Sequence, residues 1–191
     1  MQDLSYYVIA CYAWYLLFAI WIIASFNTKT AARRQTSDSR LLQSALTVVG
    51  FWLVFDKHPN HGWTTMLFLP QSSWQGPVGL ALTLLGIALA IWSRVVLGRN
   101  WSGTVTVKQD HTLIQRAPYT LARHPMYTGL LLGMLGTAII VDRVHSLLGV
   151  GVLFVGLWIK SRMEEQFMVE EFGDQYRQYQ QRVKALIPYV F

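Results

Sequence analysis

Between His111 and Gly129 the chain gathers imidazoles, guanidinia, phenols and turn residues between two apolar runs, and chemistry is expected there. Hydrocarbon cannot solvate such groups, so polar side chains beside membrane spans face a cavity, a partner or interfacial water. His124-Pro125 directly precedes an apolar run. Proline in the first helical turn leaves the neighbouring N–H groups able to face an anion or a carbonyl. Arg123, His124 and Tyr127 would surround that helix start. The same residues also suit a plainer role, Arg123 on lipid phosphate and Tyr127 as an interfacial anchor.

Upstream, His111 is followed by Thr112-Leu113-Ile114, which offers backbone hydrogen bonds and an apolar wall to a flat ring, and Tyr119 follows a turn at Ala117-Pro118. Taken singly, His111 reads as a surface histidine and Tyr119 as packing. Downstream, Glu164 and Glu165 fall where the last apolar segment ends. A carboxylate at a membrane boundary is costly to keep without a cation or hydrogen-bond donors. At least one of the pair therefore faces back toward the histidine segment if the fold brings the two together; the plain alternative is an i, i+4 pair with Lys160.

Other chemistries lack their signatures. The five histidines include His58 and His61, three apart, but His111, His124 and His145 have neither close spacing nor cysteine companions, so no metal site is expected. Cys11 is the single cysteine and reads as packing within an apolar segment. Neither G-x-S-x-G nor G-x-G-x-x-G occurs, which removes the main support for a hydrolase or a dinucleotide-binding domain.

The elements that must position these residues are membrane spans. The 191 residues are 53% hydrophobic, and the mean hydropathy is +0.31. Such values belong to membrane proteins, and about 20 mainly apolar residues cross a bilayer as a helix. Tyr6 to Phe26 and Gly76 to Leu97 are the clearest spans; Leu41 to Phe55 is shorter, and Trp63 to Leu69 is expected to lie in the interface. A helix from Pro125 to Val141, a turn at Asp142-Arg143 and a return over Val144 to Ile159 complete five expected crossings.

Lys29, Arg33, Arg34 and Arg40 mark the first connection as cytoplasmic, which places the N-terminus outside and the histidine segment and tail inside. The first span has neither a basic leader nor a cleavage site and reads as retained. The net charge of +6 collects on that inner side, where anionic lipid headgroups are a simpler partner than nucleic acid.

The segment Thr28 to Arg40 reads as a short solvated linker, and Thr104 to Val107 as a short extended segment. In the tail, Met168, Phe172, Tyr176, Tyr179 and Val183 recur at helical spacing; Gly173 is positioned to break that helix and Pro188 to stop it. The chain divides into N-terminal spans (1–97) and a C-terminal region (98–191) of motif, hairpin and amphipathic tail, together one functional domain.

Read jointly, several words in the C-terminal half resemble the isoprenylcysteine carboxyl methyltransferase family and its relatives, the membrane phospholipid N-methyltransferases. They are Gly98-Arg99-Asn100-Trp101-Ser102-Gly103, His111 to Ile114, Pro118-Tyr119, Arg123 to Gly129, Glu164-Glu165, and Phe172 to Tyr179 closing at Ile187-Pro188. The resemblance covers about Gly98 to Pro188.

It implies an all-α integral membrane methyltransferase that binds S-adenosyl-L-methionine in a cytosol-facing pocket open toward the lipid. By motif, His111, Thr112, Leu113, Ile114 and Tyr119 would line the adenosyl region. His124, Pro125, Met126 and Tyr127 would form the next wall, and Glu164 would hold a polar group of the cofactor. The family places an arginine one helical turn before that glutamate on the substrate carboxylate. Here the position is Lys160, which keeps the charge without the two-point grip, and Arg162 or Arg123 could compensate.

The expected acceptor is a lipophilic or lipid-anchored substrate, an isoprenylcysteine-like carboxylate first and a phospholipid amine second. Lys160 and Arg123 would serve the carboxylate, and His124 or Glu165 would serve as base for an amine. Rival readings are a scaffold or small transporter, for which few ionisable groups lie away from the span ends, and a reductase with a nicotinamide cofactor.

Overall fold

The computed structural model describes residues 2–26, 31–34, 37–56, 62–101, 106–108 and 112–187, so His58, His61, His111 and Pro188 lie outside the described residues. Six α-helices occur among these: α1 (Gln2–Ser25), α2 (Ser37–Phe55), α3 (Gln75–Leu97), α4 (Pro125–Val141), α5 (Val144–Phe172) and α6 (Asp174–Arg182). A two-stranded antiparallel ribbon pairs β1 (Ala31–Arg34) with β2 (Thr106–Lys108). Apart from that short ribbon, the all-α membrane architecture expected from the sequence is what forms. The stretches Leu4–Ser25, Gln75–Asn100 and Val144–Phe172 are long and apolar enough to cross a bilayer, and α2 and α4 are shorter apolar helices.

Two features differ from the sequence reading. The supposed linker 28–40 contains β1 and the first residues of α2. Strand pairing satisfies backbone groups between residues 72 to 77 positions apart in the chain, from Arg34 with Thr106 to Ala31 with Lys108, which no local pattern reports. The final span also does not stop at Ile159: α5 runs 29 residues, about 43 Å at roughly 1.5 Å per residue, well beyond a hydrocarbon layer of about 30 Å. Lys160, Glu164 and Glu165 thus ride on a rigid extension of a span. Gly173, at φ +54°, ends that helix as expected and starts α6.

Within the bundle α3 lies on α4 and α2 on α5. The first pair meets backbone to backbone through glycines, since a Cβ built on Gly86 would stand 2.3 Å from Gly133 N, and one on Gly136 would stand 2.5 Å from Gly79 O. Lipid offers no hydrophobic drive for helices to pair, so such close approach is where their packing energy comes from. Thr83 Oγ1 lies 3.2 Å from both Gly133 O and Thr137 Oγ1, and Trp14 Nε1 donates to Thr137 Oγ1 at 3.0 Å, tying α1 to the same seam.

Gly86→Ala is expected to force α3 and α4 apart and to cost about 1–3 kcal/mol, read as a lowered unfolding temperature in detergent. Gly151→Ala is the control, because its added methyl would meet nothing within 4 Å. Equal unfolding temperatures for the two variants would contradict this packing.

The α4–α5 turn is closed by Asp142 in the left-handed region, φ 49°. Its carboxylate accepts from Leu69 N at 3.0 Å and from Gln71 Nε2 at 2.9 Å, while Val144 N donates to Met66 O at 3.0 Å. These bonds strap the Trp63–Leu69 segment across that end of the bundle, leaving Trp63 exposed.

Candidate active site at one end of the bundle

α4 begins at Pro125 with His124 as its N-cap residue, so Arg123 and His124 sit at the junction between an irregular segment and a span. Two backbone bonds fix that junction from behind: Arg123 N donates to Lys184 O at 2.8 Å and His124 N to Ala185 O at 2.9 Å. Thr128 Oγ1 donates to Leu186 O. The segment after α6 is thereby stitched to the start of α4.

Side chains then join α4 and α5. Arg123 donates to Glu165 Oε1 through Nε at 2.7 Å and Nη2 at 2.6 Å, and its Nη1 donates to Gln180 O at 3.1 Å and to Val183 O. A guanidinium on the last carbonyls of α6 also suits the negative end of that helix. Glu165 Oε2 accepts from Gln180 Nε2 at 3.1 Å. Its neighbour Glu164 points elsewhere, with Oε1 accepting from Tyr127 Oη at 2.6 Å.

His124 lies between the two carboxylates, Nδ1 at 3.4 Å from Glu164 Oε2 and Nε2 at 3.3 Å from Glu165 Oε1, its ring stacked on Tyr127 at 5.4 Å between centroids. Only the imidazolium can donate through both nitrogens. Burial opposes that charge, but the hydrogen bonds and fields of Glu164 and Glu165 outweigh it and raise the His124 pKa above its ordinary value.

The sign of the linkage follows. The unfolded value is about 6.5, so the stability that His124 adds is fully present below about pH 6.5 and is lost as pH rises through the raised folded-state value. The gap in unfolding temperature between wild type and His124→Gln is expected to be widest near pH 6 and to narrow toward pH 9. A gap independent of pH would refute a charged His124.

In front of this network lies a cleft of about 820 Å³ including its open mouth. Thr112, Leu113, Ile114, Tyr119, Arg123, His124, Met126, Tyr127 and Glu164 all line it, although they come from two regions of chain some forty residues apart. The Tyr119 hydroxyl donates to Ser93 O at 3.2 Å, and burial, with Glu164 nearby, raises its pKa, so it stays a donor. Tyr179 donates to Tyr119 O, and burial pushes its phenol up to about 12.

Pro125 is fully buried as the first residue of α4 and is absent from the cleft lining. Lys160 does not line the cleft either; its Nζ lies 5.5 Å from the centroid of the Tyr127 ring. Arg162 is 64% exposed beside Glu165, 3.7 Å away. His111 lies outside the described residues.

The structure adds Leu97, Asn100, Trp101, Met168, Tyr176 and Tyr179 to the lining. The last three belong to the face with helical spacing in the tail, so their periodicity was visible but not what it covers. Asn100 and Trp101 stand in the turn after α3, inside a motif noted without a role. Among the described residues no group of three or more His, Cys, Asp or Glu side chains could hold a metal ion.

Residues 74–175, which contain this cleft except for its last two tyrosines, match the phospholipid methyltransferase family. The chain belongs to that family. Individual proteins similar to it include protein-S-isoprenylcysteine O-methyltransferase B of Arabidopsis thaliana, 29% identical over 126 residues and 64% of each chain. The protein-S-isoprenylcysteine O-methyltransferase of Schizosaccharomyces pombe is 33% identical over 58% of this chain and 48% of its own. A cobalt-zinc-cadmium resistance protein of Cupriavidus metallidurans is 29% identical over 62% of this chain and 53% of its own.

Among solved structures, the eukaryotic intramembrane Ras methyltransferase, an isoprenylcysteine carboxyl methyltransferase, superposes with TM-score 0.54 at 22% identity, covering 83% of this chain and 55% of that one. The chain thus spans between about half and two thirds of the length of these relatives. The shared region of the phospholipid methyltransferase family begins just before α3 and ends just after α5, which are the helices that carry the cleft.

Proposed function

We propose that this protein is a membrane methyltransferase that uses S-adenosyl-L-methionine and methylates the carboxylate of a lipid-borne, isoprenylcysteine-like acceptor. The observation that carries the reading is the 2.6 Å contact from Tyr127 to Glu164 inside a cleft whose other wall is the segment Thr112 to Tyr119. The residues fit the cofactor chemically. Leu113, Ile114 and Met168 offer an apolar wall to a purine, Glu164 offers acceptors to an ammonium or ribose hydroxyl, and the aromatic faces of Tyr127 and Trp101 suit a cation. The O-methyltransferases among the proteins similar to it support a methyl transfer to oxygen.

When bound, S-adenosylmethionine would supply an electrophilic methyl on a cationic sulfur, and its transfer to a carboxylate oxygen forms an O–C bond as the C–S bond breaks, with no proton released. The chain's own work is to hold, orient and exclude water. Arg123 and Glu165 fix the start of α4 against α5 and α6, and His124 passes that order on to Glu164. An imidazolium held by two carboxylates is a poor general base, which favours a carboxylate acceptor over an amine that must first lose a proton. The cationic connections favour a cytosolic cleft, an N-terminus outside and access for the acceptor from the lipid.

Calorimetric titration of detergent-purified protein with S-adenosylhomocysteine tests the reading. Binding is expected in wild type and its loss in Tyr119→Ala; a protein that ignores this ligand and binds a nicotinamide nucleotide would be a reductase instead.

A further inference from the structure

The outer face of α2 and α5 carries an apolar groove that methyl transfer does not use. Val144, Leu147, Leu148, Gly151 and Val155 of α5 line it, with Leu46 of α2 opposite. Helical residues three and four apart share a face, so these positions make one continuous wall. A Cβ built on Gly151 would meet nothing within 4 Å, and the glycine leaves a notch partway along. From Val144 to Val155 the groove runs about 16 Å at roughly 1.5 Å per residue, close to half of a hydrocarbon layer of about 30 Å. It starts with α5 itself, whereas Glu164 and the cleft lie toward the other end of that helix.

Arg143, the N-cap residue of α5, stands at the mouth of the groove, one position before Val144. It is exposed, and its Nη1 donates to Thr65 O at 3.2 Å. Asp142, next to it in the chain, turns its carboxylate elsewhere, toward Leu69 N, Gln71 Nε2 and Gln75 Nε2. A cation at the positive end of a helix dipole is unfavourably placed, and an anion bound there relieves both charges. We propose that the groove seats one phospholipid, with its phosphate on Arg143 and one acyl chain along Leu147, Gly151 and Val155 to the middle of the bilayer.

Lipid chains are as apolar as leucine, so shape and head charge decide the occupant rather than hydrophobicity. A single chain fits the notch at Gly151, and its length within one leaflet matches a groove that ends at Val155. A helix from a second copy would cross both leaflets and call for a longer groove. The lipid also braces the Trp63–Leu69 strap, because Thr65 O and Met66 O accept from Arg143 Nη1 and Val144 N. This site is remote from the cleft and stands independently of the proposed methyl transfer.

Native mass spectrometry of the full-length protein, stripped of lipid in detergent and titrated with dioleoyl phosphatidylglycerol, tests the site. Wild type is expected to retain one lipid and to unfold at a higher temperature with it. Arg143→Gln should weaken binding about 5-fold, and Arg143→Lys should restore most of it. Gly151→Leu should weaken it several-fold while leaving the unfolding temperature of the lipid-free protein unchanged, because the new side chain fills the groove and displaces no protein atom. If Arg143→Gln does not fold, the Gly151 variant carries the test alone. Undiminished binding by Gly151→Leu would overturn the proposal. So would competition by glycerol phosphate as strong as that of the lipid, since the chain would then contribute nothing. A lipid-free dimer that Gly151→Leu converts to monomer would make the groove a contact between copies instead.

Discussion

Glu165→Ala is expected to cost about 3–5 kcal/mol, enough to lower the yield of folded protein sharply, because removing one partner of a buried ion pair strands the other. Arg123, with 8% of its side chain exposed, would keep its charge in a site without a carboxylate, and His124 would lose the partner of its Nε2. Domain stabilities lie near 5–15 kcal/mol, so one such change takes a large share. Thermal unfolding and size-exclusion behaviour in detergent measure it.

The pair itself need not be strongly favourable, since two desolvated charges roughly offset their own attraction. Replacing both residues, Arg123→Met with Glu165→Leu, is therefore expected to recover part of the loss, and the double-mutant cycle reports the coupling. Recovery would be incomplete, because Arg123 Nη1 also closes the end of α6 through Gln180 O and Val183 O. A Glu165→Ala protein within about 1 kcal/mol of wild type would show that this cluster does not hold α5 to α4.

Glu164→Gln is expected to behave in the opposite way, keeping the fold and losing the ligand. Its side chain is 22% exposed and faces the cleft, and a glutamine carbonyl can still accept from Tyr127. What disappears is a negative charge. Hydrogen bonds to charged groups contribute about 1.5–3 kcal/mol, so S-adenosylhomocysteine affinity should fall roughly 10- to 150-fold while the unfolding temperature changes little. Calorimetry on the same preparation gives both numbers. Undiminished affinity would exclude Glu164 from the cofactor site. The contrast with Glu165 is the sharper test, because the two carboxylates are adjacent in sequence and are assigned different work.

That division of labour was not legible in the sequence. Glu164-Glu165 read as a pair of which at least one faces the histidine segment, without saying which; in the structure both do, through opposite nitrogens of one imidazole. Successive residues on a helix point about 100° apart, so two adjacent carboxylates reach one ring only when a third element places that ring between them. The alternative pairing of Lys160 with Glu164 and the compensating roles of Arg123 and Arg162 were equally undecided by spacing. Arg123 turned out to be bound into the α5–α6 junction, and Arg162 to stand at the surface. The tail's aromatic period announced a buried face without saying that Met168, Tyr176 and Tyr179 would line the cleft.

Spans and their ends were readable because hydrocarbon imposes a local rule: each apolar run must satisfy its own backbone, and glycine, proline and charge mark where it stops. Gly76 to Leu97, Pro125 to Val141 and the break at Gly173 all emerged from neighbours in the chain. Pairings across the bundle obey no such local rule. The ribbon between β1 and β2, the backbone contact of Gly86 with Gly133, and the corner where Arg94 stands between Gly98 and Ala24 join residues that carry no mark of one another. The sequence by itself determined a membrane helical chain with its reactive residues at span ends. Only the tertiary structure decided which of those residues share a cleft and which brace it, because partnership between distant polar groups depends on helix rotation and depth, which composition and period leave free.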